Sequence, residues 1–298
     1  QGFYALMFLG QAMAEENLPR PIHVSVVTTG AAQLKDEGLA YPEKAAVAGP
    51  VKVIPREVPG LTCATLDVVL PVQPKGWRAK PDLGAMARLA TQVCEDLLAE
   101  PANFAAVLRG EKRYERALKR LPLTEGGLDL AEGAPVLITG GFGGIGLTLA
   151  ERLAREVKAK ILLIARRDLP PREQWAGYVS RHGAADAIGR RILAVQRLEG
   201  LGAEVMVARA DVCNAEEMRA AIAQGEQVFG KLRAVIHAAG VVDDGPLLTK
   251  SPAAVEEVFA PKLHGTHVLH DLFPDGSLDL MVLFSSTSTV TGPAGQVD

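Results

Sequence analysis

The sequence predicts an α/β fold in two units, the second built on a doubly wound parallel sheet. Three observations lead there. Five short apolar runs between Val136 and Phe284 are separated by stretches of helical periodicity, the pattern of βαβ crossovers. A glycine-rich segment, Thr139 to Gly146, follows directly on the first of those runs. The 298 residues, 48% hydrophobic and 22% charged, suffice for two globular cores and fit neither a disordered chain nor a coiled coil.

Composition also narrows the partners. A net charge of −3 leaves no basic footprint for nucleic acid. Cys63, Cys94 and Cys213 are widely spaced and form no CxxC pair, so neither a disulfide framework nor a metal site is expected, and a reducing cytoplasmic setting fits. The opening apolar run, Phe3 to Leu9, is too short for a bilayer and lacks the basic flank of a signal peptide, so no membrane role is expected.

Taken in order, Gly2 to Ala14 reads as an amphipathic helix already under way. With Gln1 in place of Met, both ends look cut from something larger. Ile22 to Thr28 is a β-branched strand closed by Gly30. Val51 to Ile54, stopped by Pro55, reads as a second strand, and Cys63 to Leu70 as a third, ending at Pro71 and the turn Gln73-Pro74-Lys75-Gly76. Leu83, Met86, Ala87, Ala90, Val93, Cys94 and Leu97 recur at helical spacing, predicting a helix to Leu98 that stops near Pro101. Phe104 to Leu108 is then a strand. The charged stretch Glu115 to Arg120 runs into Leu121-Pro122-Leu123 as a linker, so residues 1–127 form one domain and 128–298 the other. In the second, strands are expected at Val136 to Thr139, Ile161 to Ala165, Glu204 to Arg209, Ala234 to His237 and Leu280 to Phe284. The insertion Pro170 to Leu201 reads as two short helices around Gly183, with Trp175 and Tyr178 as packing residues.

The chemistry begins at Thr139-Gly140-Gly141-Phe142-Gly143-Gly144-Ile145-Gly146. Gly141, Gly143 and Gly146 fit GxGxxG between a strand and a helix running from Leu147 to Glu156. There glycines permit a tight turn, and helix N-terminal amides stabilise a pyrophosphate. A plain structural turn is the alternative, and the strand-loop-helix context counts against it. After the second strand, Arg166 and Arg167 stand where an acid would bind the ribose of NAD. A guanidinium there accommodates a 2′-phosphate and favours NADPH, although two solvated arginines are the blander reading.

The same loop also reads Thr139-Gly140-xxx-Gly144-x-Gly146, which resembles the short-chain dehydrogenase/reductase superfamily and its Rossmann sheet. Asp211-Val212 and His237-Ala238-Ala239-Gly240 are similar to that superfamily's adenine-side motifs, with a helix cap and an ordinary turn as the alternatives. The run from Val235 through Gly240 to Gly245, then Phe259-Ala260-Pro261-Lys262-Leu263-His264-Gly265, then Leu283-Phe284-Ser285-Ser286 narrows the resemblance to ketoreductases of modular polyketide synthases. The first domain, with Arg109-Gly110 and Arg113-Tyr114, resembles that family's structural subdomain, a degenerate Rossmann-like unit that binds no cofactor.

What the resemblance implies is specific. An NADPH-dependent reductase would act on a β-ketoacyl group borne by the phosphopantetheine of an acyl carrier protein, among neighbouring synthase domains. Ser286 would hydrogen-bond the ketone oxygen, and Lys262 would support the proton donor. That donor, a tyrosine, falls one position past Asp298, so the segment as given is expected to be nearly inactive. Val242-Asp243-Asp244 matches the Leu-Asp-Asp of B-type ketoreductases apart from its first residue. Asp243 and Asp244 would thus orient the substrate toward a (3R)-hydroxyacyl product, where a turn into Gly245-Pro246 is the alternative. Thr291 stands where the competing type has Trp, and Pro293 lies one position before the usual B-type proline. A free-standing short-chain reductase and a non-catalytic structural ketoreductase are the two rival readings.

Overall fold

The computed structural model describes residues 2–16, 18–71, 82–100, 104–122, 126 and 130–298. The turn at Gln73-Pro74-Lys75-Gly76, the helix stop at Pro101 and the domain start at Leu128 lie outside the described residues. Two compact units emerge. The first comprises Gln1–Leu123, Asp243–Val255 and Ser286–Asp298; the second comprises Thr124–Val242 and Glu256–Ser285.

In the first unit, helix α1 (Gly2–Glu15) precedes strand β1 (Ile22–Thr29), helix α2 (Ala48–Glu57), strand β2 (Leu61–Val68), helix α3 (Leu83–Leu98) and strands β3 (Ala105–Arg109) and β4 (Lys112–Glu115). The sheet runs β1-β2-β3-β4, its first two pairings parallel and the last antiparallel. The strand expected at Val51 to Ile54 is wrong: those residues lie in α2. Val47, Val51, Ile54 and Val58 recur at helical intervals and are all buried, a stripe that a four-residue window is too short to reveal. Pro50 sits in the first turn, and Pro55 comes only two residues before the helix ends. Strand β4 has no counterpart among the expected elements. It is an exposed, charged edge strand joined to β3 through Gly110, whose φ of +61° makes the two-residue turn.

In the second unit, strand β5 (Pro135–Thr139) leads into helix α4 (Gly144–Val157) and strand β6 (Lys160–Ala165). The insertion follows as α5 (Trp175–His182) and a longer α6 (Ala187–Gly200), flanking Gly183 at φ +77°. Trp175 is buried, donating Nε1–H to Pro170 O at 2.8 Å, and Tyr178 packs against the same core. Then come β7 (Glu204–Arg209), α7 (Ala215–Phe229), β8 (Ala234–His237), an α-helix α8 (Pro252–Phe259), of which the part from Glu256 groups with this unit, passing through a π-helical turn (Ala260–His264) into α9 (Gly265–Leu272), and β9 (Leu280–Leu283). A short helix α10 (Ser288–Thr291) lies in the last segment of the first unit.

All five strands of the second sheet are parallel, in the order β7-β6-β5-β8-β9. Both faces are buried, as parallel sheets require. Val136, Ile138, Ile161 and Leu163 face α4 and α6 in one core, while Leu137, Leu162, Ile164 and Val235 meet Met218, Ala221 and Leu269 of α7 and α9 in the other. Alternate residues of each strand thus feed opposite cores, which fixes the register. Numbered within the unit, the order is 3-2-1-4-5, so the chain reverses direction between β5 and β8 and opens a crevice at their carboxyl ends.

Candidate active site

The glycine loop occupies that crevice. Gly143 is the N-cap of α4, and Gly143 N–H closes the turn on Gly140 O at 2.9 Å. Gly140 sits at φ +65°, and a Cβ there would meet Ala238 O at 2.5 Å and Ala239 N at 2.6 Å, so β5 and the end of β8 touch backbone to backbone. At Gly146 a Cβ would lie 2.5 Å from Gly140 O, and at Gly141 2.5 Å from Leu163 Cδ2. By contrast Gly144 and Gly240 have no atom within 4 Å of an added Cβ, and Ile145 is 55% exposed. Amides of the first turn of α4 meet no earlier carbonyl of their own helix, which suits an anion.

A cleft of about 910 Å³ opens here. Thr139, Gly140 and Gly143 line one part, Ala238, Ala239 and Gly240 another, and Asp211 and Val212 a third. Arg166 reaches it together with Arg190 and Arg191 of α6; the neighbouring Arg167 is exposed and is not part of its lining. The two α6 arginines escape a sequence reading because they follow a helix cap, Asp186, rather than a strand end. Asp211 Oδ1 accepts from Cys213 N–H at 2.9 Å, while the cap of α7 is Asn214, whose side chain accepts from Glu216 and Glu217 N–H. A smaller cleft of about 420 Å³ on the first unit is lined by Glu95, Asp96, Glu100 and Glu111 beside His23 and Arg113 and has no glycine loop.

His237 ends β8 and is buried, 4% exposed. Its Nδ1 is 2.6 Å from Thr139 Oγ1 and its Nε2 2.8 Å from Pro261 O. Burial lowers its pKa below the ordinary histidine value, with the Pro261 bond working against that shift. Because a carbonyl only accepts, Nε2 carries the hydrogen; the neutral ring then accepts the Thr139 hydroxyl at Nδ1. Lys262, on the π-helical turn, is exposed, and its own carbonyl accepts from Thr266 Oγ1 at 2.6 Å.

Ser286, Asp243 and Asp244 belong to the first unit, whereas the glycine loop, Arg166, Asp211, His237 to Gly240 and Lys262 belong to the second. Ser286 Oγ accepts from Ser288 N–H at 3.1 Å and donates to Ser288 Oγ at 3.0 Å. Ser288 Oγ in turn donates to Gln296 Oε1, and Gln296 Nε2 donates to Asp244 Oδ2 at 2.9 Å. Ser286 and Asp244, 42 positions apart, are therefore joined through Ser288 and Gln296, neither of which carries a sequence motif. Asp243 Oδ2 pairs with Lys250 Nζ at 3.2 Å, and the same buried ammonium pairs with Asp298 Oδ2 at 2.9 Å. Among the described residues no cluster of His, Cys, Asp and Glu could hold a metal ion, and no helix is long and apolar enough to cross a membrane.

Comparison with known proteins adds the following. The family described as "KR domain" matches residues 134–298. The chain is 36% identical over 161 residues to 6-methylsalicylic acid synthase of Aspergillus terreus, covering 54% of this chain and 9% of that protein. It is 34% identical over 204 residues to a phenolphthiocerol/phthiocerol polyketide synthase of Mycobacterium tuberculosis, covering 67% and 11%. The chain thus spans about a tenth of the length of these curated relatives. Among solved structures, one of A-type ketoreductases from a modular polyketide synthase superposes on 99% of this chain and 56% of its own, with TM-score 0.77 and 28% identity. A ketoreductase from the first module of phoslactomycin biosynthesis in Streptomyces sp. HK803 covers 97% and 60%, with TM-score 0.73 and 28% identity.

Proposed function

The chain belongs to the KR domain family, the ketoreductases of polyketide synthases, and from that premise we propose that it carries out the NADPH-dependent reduction of a β-ketoacyl thioester, held on an acyl carrier protein, to the (3R)-β-hydroxyacyl thioester. The observation that carries this reading is the glycine loop at the reversal point of the 3-2-1-4-5 sheet, sealed behind by Gly140 and Gly146 and left open at Gly144. Gly140 and Gly143 line the cleft and a Cβ at Gly144 would meet no protein atom, so the loop leaves room for a dinucleotide.

Thr139 to Gly146 would hold the pyrophosphate, Asp211, Val212 and His237 to Gly240 would flank the adenine side, and Arg166 would meet the 2′-phosphate, whereas Arg167, which does not line the cleft, would not. The guanidinium of Arg166 in the cleft supports NADPH over NADH. When bound, NADPH supplies the hydride that reaches the β-carbon. Ser286, whose hydroxyl now donates to Ser288, would redirect that proton to the ketone oxygen and stabilise the developing alkoxide, while Lys262 would favour proton delivery electrostatically. In this reading residues 1–127 are the structural subdomain and 128–298 the catalytic one. That partition is by function, since segments 243–255 and 286–298 group with the first compact unit. Three unbridged cysteines support a reducing, cytoplasmic setting.

The (3R) assignment rests on Asp243 and Asp244. Chiral analysis of the product formed by the full-length protein from a β-ketoacyl thioester and NADPH tests it. A (3R)-alcohol is expected; a (3S)-alcohol would keep the reductase and remove the B-type reading. NADPH binding without turnover would favour a structural, non-catalytic domain. In the same assay Ser286→Ala is expected to lower kcat by about 10²-fold or more, and a wild-type rate would remove the serine from the mechanism.

A further inference from the structure

The helix carrying Lys262 is interrupted where it matters. In an unbroken α-helix the Gly265 N–H would bond to Pro261 C=O; here it bonds to Ala260 C=O, which is the π-helical turn. Pro261 contributes to this break, because it has no N–H to return to Glu257. Its released carbonyl receives the Nε2–H of buried His237 at 2.8 Å. The opposite nitrogen of the same ring is held by Thr139, the last residue of β5 and the first of the glycine loop, at 2.6 Å. Gly265 lets the helix come this close: a Cβ there would meet Val212 Cγ1 at 2.8 Å and His237 Cε1 at 3.5 Å.

Building on the assignment of Lys262 to proton delivery, we propose that His237 is a positioning residue: it captures the Pro261 carbonyl freed by the π-turn and thereby sets the place of Lys262 relative to the glycine loop. The ring is suited to this. It is rigid, buried and satisfied at both nitrogens, so it transmits position without taking part in proton transfer. Without it, Pro261 C=O loses a donor in a part-buried setting and the turn is free to relax toward regular α-helix. That rephases the residues C-terminal to Pro261, beginning with Lys262.

The test is a double-mutant cycle in the full-length protein, read by kcat for ketoacyl thioester reduction. His237→Leu alone is expected to lower kcat about 10- to 100-fold, the scale of a misplacement of about 1 Å. In a Lys262→Met background the same change should add less than about threefold, because the residue it positions is gone. Full additivity would overturn the proposal, as would a His237→Leu enzyme of wild-type rate. His237→Gln keeps an amide donor at the reach of Nε2 and should recover most of the rate. His237→Asn reaches only toward Thr139 and should not, and the reverse order would also overturn the proposal. This comparison stands even if the leucine variant fails to fold. A second readout is independent of turnover: the NMR resonance of reductively ¹³C-methylated Lys262 should move in His237→Leu and return in His237→Gln. If Lys262→Met turned over at the wild-type rate, the catalytic reading of Lys262 would fall, and that resonance alone would judge His237, an unmoved signal refuting it.

Discussion

Gly140 and Gly144 lie four residues apart, the first packed against backbone and the second against nothing, so one substitution, glycine to alanine, separates folding from binding. At Gly140 the left-handed φ of +65° and the Ala238 carbonyl 2.5 Å from an added Cβ both oppose alanine. Gly140→Ala is expected to cost about 1–3 kcal/mol of stability and to abolish NADPH binding. At Gly144 the Cβ meets nothing in the protein and the backbone is already helical, so Gly144→Ala should leave stability within about 0.5 kcal/mol and weaken NADPH binding alone. Thermal melts with a fluorescence titration of NADPH measure both; an unchanged affinity in Gly144→Ala would remove that glycine from the cofactor cradle. The motif itself is legible in the sequence, because a phosphate-binding turn demands glycines at fixed spacing. Which glycine faces the ligand is not, since that depends on β8 returning beside β5 nearly a hundred residues later. The same distance hides the bonds of His237, whose motif position points to the cofactor while its ring turns to Thr139 and Pro261.

At the scale of elements, strands with β-branched or aliphatic runs are readable and the exceptions have physical causes. Helix α2 reads as a strand because its apolar stripe extends beyond the run Val51 to Ile54, and β4 escapes notice because both its faces are largely exposed and its residues charged. Equally hidden is the ion cluster at the carboxyl ends of β1, β2 and β3. There Asp67, 2% exposed, accepts from Thr28 Oγ1, Ala31 N–H and Arg109 Nη2, and Arg109 Nε also binds Glu37 at 2.8 Å. The Arg109 guanidinium holds the Glu37 carboxyl below its ordinary value of 4.5. A depressed carboxylate contributes stability that is present above the unfolded-state value and is lost as pH falls through the folded-state one. Melting temperatures of wild type and Glu37→Gln should therefore differ most above pH 4.5 and converge below it. A gap independent of pH would show that the charge of Glu37 does not act.

The described residues hold two parallel-centred sheets, and these treat their carboxyl edges oppositely. The regular strand-helix alternation of residues 135–283 makes the second sheet legible. By contrast, the grouping of Asp243–Val255 and Ser286–Asp298 with the first unit depends on non-local contacts that no local pattern records. In the second unit the edge is a cleft walled by small residues and arginines. In the first, the corresponding edge is filled by the chain itself: the five donors of Arg109 are directed at Glu37, Asp67 and the carbonyls of Ala32, Asp67 and Leu108, leaving none for a phosphate. The cofactor should accordingly act on one sheet only. Saturation at 100 times Kd adds about 2.7 kcal/mol to the stability of whatever binds it. Hydrogen exchange with and without NADPH should then show protection at Thr139 to Leu147, at His237 to Val241 and in the first turns of α6, with β1 to β4 unchanged. Comparable protection at Thr28, Asp67 and Arg109 would mean that the first unit also takes a nucleotide, and that the Arg109 cluster opens to admit it.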